Sequence, residues 1–485
     1  MSVTALPRRI DVVPPVIQGG MGVGVSSWWL ASAVARSGGL GVISGVAPDL
    51  LLARTLQDGD KGGHMRRALA SYPDPVFAGQ TLARFFVEGG KPIGAAYRPI
   101  PRLDLNQKID AVRLNVLGAY AQVWLAREGH QGAVGMNLLE KVQLWTPAAV
   151  LGAMLAGVDA VLVGAGVPRR IPRLLDDLAA GQAVTLPIDV DGAFDHEEYE
   201  ISLDPRAVLR LREVSLQRPA FLAIISSHVL AAYLQRAEST AADGFVVEGF
   251  TAGGHNAPPR RPEIDASGQT VYTDRDKVDL VKMAALGQPF WLAGGYGTPA
   301  QLRMALAAGA RGVQVGTPFA LSRESGLRTD LRESMLAAVR DGSASVRTDP
   351  LASPTGFPFK VLDLVGTVTH PTTYAKRARV CDLGYLRSPF RRDDGRVGYR
   401  CPAEPEGEFV RKGGEASATV GRLCLCNGLT ASAGFPQTRG DGSQEPPLLT
   451  LGADLGAAHE LLARYPEGWS AAEVVSWLHE GLATS

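Results

Sequence analysis

Cysteine is missing from the first 380 residues of this 485-residue chain, and its four cysteines, Cys381, Cys401, Cys424 and Cys426, all fall in the last quarter. A disulfide framework is thereby excluded for the bulk of the molecule, and the tail is set apart as differently built. An excess of charge is missing too, with 49 acidic against 49 basic residues. A surface without a field of one sign has nothing to draw a nucleic acid or an anionic membrane, so neither is an expected partner. No stretch approaches the roughly eighteen uninterrupted apolar residues that a membrane span needs. Met1 to Pro15 show neither the apolar run nor the small-residue cleavage signal of a secretory leader, which makes the cytoplasm the expected location. Also absent is a dinucleotide fingerprint with an acidic ribose-binding residue behind a first strand, which disfavours a Rossmann site.

What the chain does have is alternation. Short Val/Ile/Leu-rich runs trade places with Ala/Leu-rich helical stretches, an order that predicts parallel strands joined by crossover helices. The expected strands are Pro15 to Gln18, Leu40 to Ile43, Ala133 to Asn137, Ala160 to Val163, Phe221 to Ile225, Phe245 to Val247, a run at Trp291-Leu292, and Gly312 to Val315. Eight such units predict an α/β (β/α)8 TIM barrel with its site at the C-terminal strand ends. Two stretches exceed a normal crossover: about 48–130, expected as a helical insertion, and about 183–218, whose Asp189, Asp191, Asp195, His196, Glu197 and Glu198 read as a solvated hairpin without a calcium-loop spacing. The alternation stops near residue 375. The expected organisation is a barrel over 1–375 followed by a Cys-containing accessory region over 376–485.

Three strand ends carry glycine-rich turns: Glu248-Gly249 through Gly253-Gly254-His255, then Ala293-Gly294-Gly295, then Gln314-Val315-Gly316-Thr317. Backbone without a Cβ lets amides converge on a bulky anion, and Gly294, Gly295, Gly316 and Thr317 are the expected phosphate donors. His255 is the one histidine at a strand mouth within such a motif. His228, after the fifth strand, is a second candidate for the same cavity.

Together with Pro15-Val16-Ile17-Gln18-Gly19-Gly20-Met21-Gly22 and Gly135-Met136-Asn137-Leu138, these motifs resemble, in order and spacing, a flavin-dependent barrel family. It includes the nitronate monooxygenases, formerly 2-nitropropane dioxygenases, and the flavoprotein enoyl-thioester reductases. The resemblance covers most of residues 10–325 and implies an FMN cofactor. It places Gly20, Met21, Gly22, Asn137, Glu248, Gly253, Gly254, Ala293, Gly294, Gly295, Gln314, Gly316 and Thr317 at the flavin, with His255 and His228 as catalytic candidates. One departure stands out. The well-studied monooxygenases carry a histidine in a Ser-Phe-His-Phe-Gly segment after the fourth strand, where this chain has Leu162-Val163-Gly164-Ala165-Gly166-Val167-Pro168, with no side chain able to take a proton from carbon.

Two redox readings follow. The first, placed ahead, is oxidation of a small carbanionic, alkyl nitronate-like substrate by dioxygen, which tolerates the missing histidine because the substrate arrives deprotonated; it expects nitronate to bleach the flavin faster than NADH or NADPH. The alternative is an NAD(P)H-dependent enoyl-thioester reductase in which His255 places or donates the proton. A non-catalytic flavin-binding protein is a third reading, against which the intact glycine turns and His255 argue. The 48–130 insertion is expected to wall the substrate site or to form an interface, and a homodimer is the oligomer entertained. For the cysteines, buried unpaired thiols are preferred over a zinc or iron–sulfur centre. The one-residue gap of Cys424-Leu425-Cys426 departs from zinc-knuckle spacing, so no metal ligand is assigned.

Overall fold

The structure, a computed structural model, describes residues 10–482. In chain order its first ten strands are β1 (Val16–Gln18), β2 (Gly41–Ser44), β3 (Val134–Leu139), β4 (Ala160–Gly164), β5 (Val184–Pro187), β6 (Glu200–Leu203), β7 (Ala220–Ile225), β8 (Gly244–Glu248), β9 (Phe290–Ala293) and β10 (Gly312–Val315). All but β5 and β6 form one parallel sheet in the order β2-β3-β4-β7-β8-β9-β10-β1. A parallel bridge between Ile17 and Leu40 joins its two ends, with Leu40 N–H donating to Val16 O at 2.9 Å and Gln18 N–H to Leu40 O at 3.0 Å. The result is a nearly closed (β/α)8 barrel, and each of the eight expected strands is found within a few residues of its place.

These strands are short and apolar because both faces are covered. Ile17, Val42, Leu162, Leu222, Val246 and Trp291 fill the barrel interior, while Val16, Ile43, Val161, Phe221, Phe245 and Val313 belong to the layer beneath the helices. The first helix, Trp28–Arg36, starts where Ser27 Oγ accepts from Leu30 N–H at 3.1 Å, an N-cap that satisfies one of the helix's free amides.

Within 48–130 lie the helices Pro48–Gln57, His64–Ala70, Pro75–Phe85 and Ile109–Arg127. The last of them packs between the helices Trp28–Arg36 and Thr146–Leu155, over β2 and β3, and so acts as the barrel's own crossover. A Cβ at Gly152 would stand 2.1 Å from Val116 O, so the missing side chain is what lets these two helices approach. Between 183 and 218, β5 and β6 form an antiparallel hairpin. Its acidic residues face arginines of the tail: Glu197 bonds Arg391 at 2.9 Å and Asp191 pairs with Arg400.

Beyond the barrel strands come two antiparallel hairpins, β11 (Val346–Asp349) with β12 (Phe359–Leu362) and β13 (Ser388–Arg391) with β14 (Val397–Arg400). The chain then returns to the barrel. Helices Gly456–Arg464 and Ala471–His479 join the main apolar core, and Trp469 Nε1 donates to Pro318 O at 2.7 Å. Helix Ala471–His479 lies beside Trp28–Arg36 and Pro299–Ala307, in the outer helical ring. No helix among the described residues is long and apolar enough to cross a membrane.

Candidate active site

A cavity of about 250 Å³ opens at the C-terminal ends of the barrel strands. The end of β1 turns into it through Gly19 to Val23, and a buried polar knot holds that turn in place. Gln18 Nε2 donates to Ser26 Oγ at 2.7 Å, Gln18 Oε1 accepts from Val42 N–H at 2.9 Å, and Met21 N–H donates to Ser26 Oγ at 2.8 Å. Gly20 lies flat on Asn137, where a Cβ would come within 2.1 Å of the Asn137 Cβ.

Asn137 at the end of β3 and Gln314 on β10 both line the cavity, and their side-chain oxygens, Oδ1 and Oε1, are buried without a partner in the protein. Buried amide oxygens left unpaired are costly, so both are acceptors awaiting a ligand's N–H or O–H. On the adjoining side Gly294 has φ +78° and Gly295 φ +81°, conformations open to glycine and strained for other residues. A Cβ on Gly294 would also sit 2.7 Å from Gly249 O. Gly316 differs, since a Cβ there would meet nothing within 4 Å and would project into open space. The Thr317 hydroxyl accepts from Gly452 N–H at 3.0 Å and keeps its own proton to donate.

His255 follows the β8 turn and is fixed by the strand β12. Lys360 N–H donates to Gly254 O at 2.8 Å, Asn256 N–H donates to Pro358 O at 2.9 Å, and the imidazole meets the Phe359 ring edge-on at 4.9 Å between centroids. Its Nε2 lies 2.7 Å from Ser353 Oγ, which in turn accepts from Thr355 N–H at 3.2 Å. The ring is enclosed by protein, and the surface it keeps is cavity wall. That enclosure lowers its pKa to about 4, so the imidazole is neutral at pH 7. Glu248, the last residue of β8, is pushed the other way: burial raises its pKa to about 8, against the pull of the Lys360 charge. Burial likewise lowers Lys360, itself bonded to Thr348 Oγ1, to about 8. Near neutral pH, Glu248 is therefore a carboxylic acid able to donate a hydrogen bond.

The cavity brings together Gly20, Met21, Gly22, Asn137, Glu248, Gly253, Gly254, His255, Ala293, Gly294, Gly295, Gln314, Gly316 and Thr317. His228 is not among its lining residues. It opens the helix His228–Leu234, with Nδ1 buried and unpartnered and its electrostatic neighbour Asp279 on the next helix's cap. Sequence reasoning missed the wall contributed from beyond residue 375: Tyr385, Leu386, Cys426, Leu449, Thr450 and Asp454 among others. Tyr385 is anchored by donating to buried Asp49 at 2.8 Å, whose own pKa burial raises to about 6. No periodic motif announces these residues. The only local hint was the return of apolar residues at Leu448 to Leu451 after a polar stretch.

Residues 210–347, which span β7 to β10 and His255, match the family described as nitronate monooxygenase. Over these residues the barrel is similar to the nitronate monooxygenases. Two (3aS,4S,5R,7aS)-5-hydroxy-7a-methyl-1-oxo-octahydro-1H-indene-4-carboxyl-CoA dehydrogenases are also similar. That of Rhodococcus jostii is 31% identical over 156 residues, 32% of this chain and 38% of the relative. That of Mycobacterium tuberculosis is 28% identical over 232 residues, 44% of this chain and 60% of the relative. The chain thus spans less than two thirds of the length of either relative. Among solved structures, FabK from Thermotoga maritima is 17% identical with a TM-score of 0.49, 98% of this chain and 96% of that chain being covered. Nitroalkane oxidase from Streptomyces ansochromogenes is 17% identical with a TM-score of 0.43, with 98% and 97% covered.

The residues that line this cavity fit FMN. The Gly294-Gly295 and Gly316-Thr317 turns leave room where side chains would stand, and the orphaned oxygens of Asn137 and Gln314 match the donors of a flavin ring or ribityl chain. Among the described residues no arginine or lysine lines the cavity, so a phosphate there would rest on backbone amides and the Thr317 hydroxyl.

Proposed function

We propose that this chain is an FMN-dependent reductase that takes hydride from NAD(P)H and delivers it to the double bond of an enoyl thioester, reversing the order of the two readings made from sequence. The observation that carries this reading is the protonation of the cavity. Both titratable groups that β8 and its turn place there, Glu248 and His255, are neutral near pH 7. Oxidising an alkyl nitronate, which arrives deprotonated, needs no group of the cavity to move a proton and leaves the protonated Glu248 without a role. Reducing a thioester-activated double bond needs the opposite: donors to the carbonyl oxygen and a proton for the α-carbon. The two dehydrogenases of a carboxyl-CoA thioester add support by similarity.

When bound, FMN supplies the hydride-transfer chemistry. Asn137 and Gln314 would accept hydrogen bonds from it, and the glycine turns with Thr317 would hold its phosphate end. Glu248 and His255 are placed to hydrogen-bond the thioester oxygen as negative charge grows there, with Ser353 setting the imidazole's orientation. Apolar wall residues such as Leu449 and Leu451 keep water from the reacting carbons.

The nitronate reading stands second, on the family match over residues 210–347. One experiment separates the two. Purified protein is expected to carry noncovalent FMN near one-to-one, to be bleached anaerobically by NADPH or NADH, and to recover its colour on adding an enoyl-CoA. Bleaching by an alkyl nitronate with reoxidation in air, and no response to either nicotinamide, would favour the nitronate reading. A colourless protein that FMN does not reconstitute would remove both.

A further inference from the structure

The four cysteines, 45 residues apart at their extremes in a tail of otherwise polar composition, converge on one place. Cys381 lies in the loop after helix Pro371–Lys376, Cys401 directly follows β14, and Cys424 and Cys426 begin helix Leu425–Ser432. All four line one small cavity with Leu383, Leu386 and Arg387, and all four are free thiols. Among the described residues, no group of three or more His, Cys, Asp or Glu side chains is arranged to hold a metal ion. Within that cluster Cys381 and Cys401 interact with one another directly.

We infer that Cys381 and Cys401 form a peroxide-sensitive dithiol, Cys381 being the sulfur that is oxidised and Cys401 the one that closes the disulfide. Their surroundings divide the roles. Cys381 and Cys426 are half-buried and Cys401 and Cys424 buried, and of the two half-buried thiols it is Cys381 that has the guanidinium groups of Arg387 and Arg102 near it. The neighbouring Cys401 thiol and those arginines hold the Cys381 pKa down, and the thiolate is the form that attacks. The contact with Cys381 and burial raise Cys401, and burial raises Cys424 and Cys426, which leaves these three as thiols.

The oxidant is hydrogen peroxide. The Cys381 thiolate attacks one peroxide oxygen, the O–O bond breaks, and the departing hydroxide takes a proton to become water, leaving a sulfenic acid. Cys401 sulfur then attacks the sulfenic sulfur, the S–O bond breaks, and the thiol proton leaves with hydroxide as a second water. Two sulfurs lose two electrons in total and one peroxide becomes two waters. The thiol cavity shares Leu386, Leu425 and Cys426 with the candidate flavin cavity, so the cross-link would form immediately behind its tail-derived wall. The inference does not depend on which substrate that cavity takes.

Reduced full-length protein treated with a modest excess of hydrogen peroxide is expected to lose two hydrogens in intact mass. Peptide mapping should then place the bridge between Cys381 and Cys401, and dithiothreitol should reverse it. In Cys401→Ser the sulfenic acid should persist and be trapped by dimedone at Cys381. Oxidation spread over all four cysteines, or none at all, would overturn the inference. So would about one equivalent of zinc, or iron with acid-labile sulfide, in protein purified without an affinity tag, since that would make the cluster a metal centre.

Discussion

Replacing His255 by alanine is expected to lower turnover by roughly a hundred-fold to ten-thousand-fold, the range for loss of a positioned acid or base, while FMN stays bound. The fold should survive because main-chain bonds hold the segment: Lys360 N–H to Gly254 O and Asn256 N–H to Pro358 O persist without the imidazole. The decisive measurements are flavin content and kcat of the same preparation. Near wild-type turnover on an accepted substrate would reduce His255 to a packing partner of Phe359. The pH profile adds a second readout. His255 takes up a proton only as pH falls through about 4, so it contributes no ionisation between pH 5 and 7. Glu248 loses its proton, and with it its donor, as pH rises through about 8, so activity should decline there. In Glu248→Gln, which stays neutral at all pH values, that alkaline decline should be absent.

Gly316→Leu is expected to yield folded protein that has lost most of its flavin. At Gly294 or Gly295 a side chain would also strain a backbone at φ near +80°, mixing loss of cofactor with loss of the turn. Gly316 avoids this: its φ of −107° is open to any residue, and a Cβ there would meet no protein atom within 4 Å. The substitution therefore spends its volume in the cavity alone. Flavin absorbance per folded chain, with circular dichroism and the thermal midpoint as controls, checks this. Unchanged occupancy would move the phosphate site away from the β10 turn.

Much of this was legible in the primary structure. Eight strands in a βα rhythm, each a short apolar run buried on both faces, can close with few parallel topologies, and the structure adopts the expected one. The glycine turns after β8, β9 and β10 were equally plain, because a backbone that must approach a ligand tolerates no side chain and so leaves its mark locally. His255 was readable for the same reason, lying one residue beyond such a turn. His228 was not resolved by this logic: it also follows a strand, but it starts a helix and is not part of the cavity wall.

By itself, then, the chain's local order determined the barrel, the strand ends that line the cavity and the glycine turns between them, since each depends on periodicity or on backbone conformation within a few residues. Tertiary structure alone decided the rest. It brought Tyr385, Leu449 and Asp454 from the tail to the cavity wall, set Ser353 against His255 across 98 positions of sequence, and gathered four distant cysteines around one cavity. It also removed the charge that a glutamate ordinarily carries at pH 7 from Glu248 and held His255 neutral well below its ordinary range. A pKa of about 8 for a glutamic acid, or about 4 for a histidine, comes from how completely other segments exclude water, and no spacing within the chain encodes that.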